Sequence, residues 1–408
     1  MDSDDTPRFV LFLPPAPPSL SIADLKSDYA ETISEVLKEV ASHASTSPKA
    51  AILEVALACP HLVGHEQKPR SSLYSQTQSV LAAVYKLICI LAAEGNINIE
   101  DSDGVDVRVL LVAWSPDSPE DLGGRYSSFG PVVDIATLAT STRVWQYAFG
   151  VESDAGEAMV RAFVMAKGKG GQVTNFQSEV KPVHDELSGT LGSAPAQSKT
   201  PFYHSIVGGT FDHIHIGHKL LLTMTAFAVD PVPPNTSTTS TPERSATIGI
   251  TGSQLLINKK YANVLETWSE RVSTVHNFLA SLINFSPHTP NITTHNNPVP
   301  NGKSINWHYA DGLVVKCTEI QDPYGPTITD EQVQVLIISA ETRSGGKAVN
   351  DKRIEKGWKP LQVLEVDVLN FSVDDQAGQD GQGAVDEWEG KISSTAIREK
   401  IAKKTGKL

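Results

Sequence analysis

The chain has 408 residues, 40% of them hydrophobic and 20% charged, which is enough apolar side chain for more than one core. A formal net charge of −13 argues against a protein whose main task is gripping a nucleic-acid backbone, because that task needs a basic face. It leaves room for a single nucleotide held by a few local cations.

The first residues, MDSDDTPRFV, are acidic and lack the basic and then apolar pattern of a signal peptide. RFVLFLP (8–14) reads as a strand, and apolar spacing from Ser21 to Ala41 reads as a helix. KAAILEVAL (49–57) is a second strand, Ser71 to Glu94 a long amphipathic helix, and DVRVLLVAW (106–114) a third strand. DIATLAT (134–140) is expected as a strand and GEAMVRAFVMA (156–166) as a helix. Apolar stretches such as AAVYKLICILAA fall short of the ~20 residues a membrane span requires. Cys59, Cys89 and Cys317 show no CxxC spacing, so neither a disulfide framework nor a zinc site is suggested. Together these features lead us to expect a cytoplasmic protein that binds neither membrane nor nucleic acid. The alternation of strand and helix predicts an α/β domain over residues 1–166, from which no chemical motif rises.

Residues 167–200 turn to Gly, Ser, Gln, Lys and Pro and read as a linker. A second domain, 201–408, then starts with the strand SIVGGT (205–210) and a helix from Ile216 to Val229. A Pro/Thr/Ser insertion (229–244) precedes the strand SATIGIT (245–251) and the helix 267–282; another polar insertion spans 285–304. VQVLIIS (333–339), a helix around DKRIEKG, PLQVLEVDVL (360–369), an acidic Gly-rich loop and a helix from Ser394 to Lys404 complete the chain. This order predicts a doubly wound, Rossmann-like parallel sheet with ligands at the carboxyl ends of its strands.

The chemistry concentrates in SIVGGTFDHIHIGH (205–218). Gly208 and Gly209 let the chain turn at the strand end and approach a ligand closely, and Thr210 offers a hydroxyl and an N–H there. His215 and His218 share one face at the start of the next helix, where free N–H groups and the helix dipole favour an anion. An isolated HxxH is more often ordinary surface or core. A strand ending in GGTFD ahead of it makes a phosphate site the better reading. Ser393, Ser394 and Thr395 open the last helix, where small hydroxyl residues are ordinary N-caps. Arg398, one turn deeper, adds a guanidinium suited to the β- and γ-phosphates of a nucleoside triphosphate. Lys259, beyond the second strand of this half, sits at the same sheet edge as a mobile point charge.

In these residues the sequence resembles the nucleotidyltransferase superfamily with the HxGH signature, and more closely the eukaryotic and archaeal phosphopantetheine adenylyltransferases. VGGTFDHIHIGHKLLL, the NKKY…ERV block, DPYGPTITDEQVQVLIISAETRSGGKAVNDKR, PLQVLEVDVL and ISSTAIRE carry the resemblance, in order, over roughly residues 200–405. It implies adenylyl transfer from ATP to 4′-phosphopantetheine, giving 3′-dephospho-coenzyme A and pyrophosphate, with Mg2+ arriving on ATP and no metal site of the protein's own. Thr210, His218 and Lys259 would be the catalytic residues. Gly208, Gly209, Thr210, Phe211, His215, His218, Ser393, Ser394, Thr395 and Arg398 would bind the nucleotide. Thr210 and Lys259, with Arg343, Asn350 and Arg353 from the loop after the third strand, would bind the acceptor. No GxxxxGK[ST] loop is found, so a dephospho-coenzyme A kinase is expected as a separate pathway partner. The competing readings are another small-molecule nucleotidyltransferase, such as one acting on nicotinamide mononucleotide, a class I aminoacyl-tRNA synthetase, and a non-catalytic scaffold.

Overall fold

A computed structural model describes residues 6–44, 50–66, 68–99, 104–117, 127–170, 201–232, 242–367 and 393–406. The chain divides into two compact units: Met1–Glu66 with Ser79–Gln197 and Leu282–Pro287, and Gln67–Gln78 with Ser198–Ser281 and His288–Leu408. Both are α/β. One is built on a parallel sheet and the other on a mixed sheet.

The first unit carries a five-stranded sheet of order β4-β3-β2-β1-β5, every neighbouring pair parallel. Strands β1 (Arg8–Leu13), β2 (Ala51–Ala58) and β3 (Val105–Ala113) are buried along almost their whole length. Continuous apolar runs, rather than alternation, are what central parallel strands need, because helices cover both faces. Of the two carboxylates in these strands, Glu54 has no exposed surface and accepts bonds from Arg143 Nη1 and Trp145 Nε1, both at 2.7 Å, while Asp106 pairs with Arg108. Helices α1 (Ile22–Ala44) and α2 (Arg70–Glu94) match the predicted stretches closely. Helix α2 is, by length and composition, long and apolar enough to cross a membrane, longer than the apolar stretches read from the sequence. More than half of its apolar stretch is buried within the protein, which is the character of a core helix.

DIATLAT is not a strand. The strand β4 is the preceding Val132–Asp134, and Ile135–Thr140 is a short helix, α3. Asp134 decides this: its carboxylate accepts the Thr137 N–H at 2.8 Å and caps the helix. Strand β5 (Tyr147–Gly150) was not anticipated, and helix α4 runs Asp154–Gly170, past the predicted domain end at 166. Residues 171–200 of the expected linker lie outside the described residues, as do residues 233–241 and 368–392.

The second unit is built on a seven-stranded sheet of order β12-β11-β6-β7-β10-β9-β8. Strands β6 (His204–Gly209), β7 (Arg244–Thr251), β10 (Leu313–Ile320), β11 (Val335–Ser339) and β12 (Gln362–Val366) run parallel. The polar segment expected as a second insertion instead contains β8 (Asn291–Asn296), paired antiparallel with β9 (Lys303–His308). Strand β9 in turn pairs antiparallel with β10, so the sheet is mixed rather than purely parallel. All of β8 is exposed, so its sequence carries no apolar alternation to announce it. Strand β10 was also missed: its parallel neighbour is the distant β7, a pairing that no local signal specifies.

Helix α5 (Ile216–Phe227) follows β6, and α6 (Trp268–Ile283) follows β7. Helix α7 (Arg343–Glu355) joins β11 to β12, and α8 (Ser394–Lys404) closes the unit. On one sheet face Ile206, Leu336 and Ile338 pack with Val349 of α7. From β6 the chain proceeds to β7 on one side, and from β11 to β12 on the other. The carboxyl ends of β6 and β11 therefore flank the point where the winding reverses, which is where open α/β sheets form a ligand crevice.

Candidate functional site

Most of the expected site residues gather at that carboxyl edge. Strand β6 ends in exposed Gly208 and then Gly209, whose carbonyl accepts the Thr251 hydroxyl at 3.0 Å and ties the tips of β6 and β7 together. A Cβ on Gly209 would lie 3.0 Å from the Phe211 ring, so a larger residue would press on the loop. Thr210 follows, part-exposed, its carbonyl held at 2.7 Å by Nη1 of Arg271 from α6. The loop then passes through two left-handed residues, Phe211 (φ 51°) and His213 (φ 47°). That contour is unfavourable for non-glycine residues and must be enforced by its surroundings.

Several buried groups enforce it. The Phe211 ring is fully buried and rests against His218, centroid to centroid 5.3 Å. Asp212, with no exposed surface, accepts the Glu266 N–H at 2.9 Å and Nη1 of Arg398 at 2.7 Å. The Glu266 carboxylate in turn accepts the His213 N–H at 2.8 Å, and His213 Nε2 lies 3.0 Å from the Val264 carbonyl oxygen. Of the three histidines in HIHIGH, His213 is thus structural.

His215 is the N-cap of α5 but makes no side-chain cap bond, which leaves its ring free to turn toward His218. The two imidazoles stack with centroids 4.0 Å apart and planes 29° from parallel. Gly217 permits this: a Cβ there would stand 3.1 Å from Cε1 and 3.2 Å from Nδ1 of His215. Burial, with Lys219 nearby, pushes the His215 pKa down to about 4, and burial pushes His218 well below its usual range. Both rings are neutral at pH 7. Their Nδ1 atoms are buried without a hydrogen-bond partner, an unusual condition for polar groups in a folded protein. Neutral imidazoles beside the open amides at a helix start can donate to an anion without carrying charge of their own.

Lys259 lies on the loop after β7, exposed. Its neighbour Lys260 is fixed through its carbonyl, which accepts Nε of Arg398 at 3.0 Å. At the start of α8 the Ser393 hydroxyl accepts the Ala396 N–H at 3.2 Å, an ordinary N-cap. Ser394 is part-exposed and Thr395 exposed. One buried guanidinium thereby draws together the loops after β6 and β7 and the first turn of α8.

Four of the expected site residues are engaged with other groups of the protein. Arg398 is only 2% exposed, and all three of its nitrogens engage protein groups. Asn350 bonds both the N–H and the carbonyl of Leu361, just ahead of β12. Arg353, 1% exposed, donates to the carbonyls of Thr327, Asp330, Glu331, Val333 and Lys359, most of them in the loop ahead of β11. The reason is geometric. Helix α7 starts at the carboxyl edge and runs back antiparallel to the strands for 13 residues, about 20 Å. Its last turns therefore lie at the amino edge. Arg343, at its start, stays at the carboxyl edge, exposed and paired with Glu365 at the end of β12. Phe211, expected to bind nucleotide, has its ring buried against His218. Asp212 and Arg271 were not singled out from the sequence, although a charged residue inside each motif block was the available signal.

Residues 1–188 match a family model described as "Domain of unknown function (DUF8446)". Over 200 residues the chain is 33% identical to an uncharacterized protein of Schizosaccharomyces pombe, a match covering 49% of this chain and 48% of that one. It is 32% identical over 228 residues to the phosphopantetheine adenylyltransferase of Saccharomyces cerevisiae, covering 56% of this chain and 57% of that one. The phosphopantetheine adenylyltransferase of Thermococcus kodakarensis matches at 27% identity over 193 residues, 47% of this chain and 82% of the relative. The chain thus spans about half the length of the two fungal relatives. A solved protein with unknown function from Archaeoglobus fulgidus matches at 20% identity with a TM-score of 0.25, over 40% of this chain and 98% of that one, a likeness that supports no structural conclusion.

Proposed function

We propose that the second unit transfers the adenylyl group of Mg·ATP to 4′-phosphopantetheine, releasing pyrophosphate and 3′-dephospho-coenzyme A, and so serves coenzyme A biosynthesis. The observation that carries this reading is the stacked, neutral His215–His218 pair at the α5 start, beside Gly208–Thr210 and within one hydrogen-bonded framework with the Lys259 loop and α8. The names of the yeast and archaeal relatives supply the acceptor.

In this reading the triphosphate lies along the α5 N-terminus, where helix amides and the His218 imidazole stabilise charge as it builds on the α-phosphate in the transition state. Thr210 orients the acceptor phosphate for in-line attack. Lys259, exposed on its loop, follows the charge between nucleophile and α-phosphorus. The Ser393–Thr395 turn receives the leaving pyrophosphate. No covalent enzyme intermediate is needed, because positioning and charge stabilisation lower most of the barrier.

The test is pyrophosphate release from ATP by the full chain, with 4′-phosphopantetheine, with nicotinamide mononucleotide, and with neither. Release that depends on phosphopantetheine is expected. Release only with nicotinamide mononucleotide overturns the acceptor assignment, and release with no acceptor overturns the transferase reading.

A further inference from the structure

We infer that the Asp212–Arg398 ion pair is the positioning device of this site, setting the Lys259 loop and the Ser393–Thr395 turn against the histidine pair without either member touching substrate. The inference rests on the transferase reading above for its catalytic meaning, but its structural content stands on other observations.

Asp212 and Arg398 are 0% and 2% exposed, and 186 positions separate them along the chain. The Asp212 carboxylate uses one oxygen on the Glu266 N–H and the other on Arg398. Arg398 uses Nη1 on Asp212, Nε on the Lys260 carbonyl at 3.0 Å and Nη2 on the Thr395 hydroxyl at 3.2 Å. Each bond ends in a different segment: the loop after β6, the loop after β7, and the first turn of α8. These are the segments that hold His215 and His218, Lys259, and Ser393 to Thr395. Residues 367–393 separate β12 from α8, so a short connection cannot fix where α8 begins. Its place is set by contacts: apolar Ile397 and Ala402 hold it to the unit, and the planar guanidinium fork fixes its register against the site. A single point charge would not serve, because three acceptors in three directions demand the fork. A buried ion pair is weak evidence for stability in itself, since well-packed apolar residues often do as well. A pair that joins three functional segments is better explained by alignment.

The test uses the full chain with Asp212→Asn, Arg398→Met, Arg398→Lys and the double variant Asp212→Asn/Arg398→Met. Steady-state pyrophosphate release and hydrogen–deuterium exchange over 256–266 and 393–404 are measured on each. Either neutralising substitution is expected to lower kcat about 10–100-fold with KM for ATP within threefold, and the double variant to be no worse than the weaker single. Exchange is expected to rise in both segments together, although each substitution lies outside at least one of them. Arg398→Lys should restore the melting temperature but not kcat, since an ammonium reaches only one of the three acceptors at a time. If Asp212→Asn is silent while Arg398→Met raises KM for ATP tenfold, Arg398 is a phosphate ligand and the inference falls. Multiplying losses in the double variant also overturn it. Should wild type release no pyrophosphate, the transferase reading fails, and the exchange data still decide: loosening confined to the substituted segment overturns the coupling. If Arg398→Met does not fold, Arg398→Lys and Asp212→Asn carry both readouts.

Discussion

Arg353→Met tests the division of labour along α7. The substitution keeps an unbranched apolar stem and removes every donor. Five carbonyls lose a charged partner at 2.6 to 3.3 Å, and a guanidinium 5.1 Å from the Trp358 ring centroid is lost with them. A hydrogen bond to a charged group contributes roughly 1.5–3 kcal/mol, but Asp330 and Glu331 lie near the surface and their carbonyls can regain water. The expected loss is therefore about 3–5 kcal/mol rather than the sum of five such bonds. For a unit of this size that corresponds to a drop of roughly 10 °C in melting temperature. The assay is a thermal melt of the full chain, paired with KM for 4′-phosphopantetheine on the fraction that remains folded at 20 °C. A lower melting temperature with unchanged KM is expected. A variant that melts like wild type but shows a tenfold higher KM for the acceptor would refute the argument and return Arg353 to the substrate site.

Three further outcomes are expected. His218→Ala should lower kcat for pyrophosphate release by roughly 10² or more, with little change in melting temperature, because it removes a group that acts on transition-state charge; wild-type turnover would contradict its role. Gly217→Ala should leave stability within about 0.5 kcal/mol, since the small helical gain at an N-terminal position is offset by the Cβ that must displace the His215 ring. Turnover should fall about tenfold, and unchanged kinetics would show that the stacked geometry does not matter. The folded pKa values of His215 and His276 are both lowered by burial to about 4, against about 6.5 unfolded. Their stabilising effect is complete above pH 6.5. It is lost as pH falls toward 4, because the unfolded chain takes up protons that the folded one refuses. At pH 5 the loss is about 2 kcal/mol for each ring, read as a lower urea midpoint than at pH 7.5, and His276→Phe should remove its share.

Much of this architecture could be read from local pattern. Long apolar runs such as RFVLFL and AILEVALA are buried along nearly their whole length and admit little but central strands. The Gly-Gly-Thr turn followed by a helical HxGH points to the strand-end corner of the candidate site without any knowledge of what surrounds it. Where local signals competed, the local reading failed: DIATLAT is a helix because Asp134 caps it, and the exposed β8 carries no apolar stripe to betray a strand.

The amino-acid order alone specified which side chains have the chemistry of a phosphate site, because that depends on residue type and near spacing. Only the tertiary structure decided which of them meet. Helix α7 carries Arg343 and Arg353 to opposite edges of the sheet, a separation set by helix length and direction. Arg398 is turned inward because a buried carboxylate far away in sequence needed a partner, and pairing across such a distance is a property of the packed fold that no short stretch of sequence encodes.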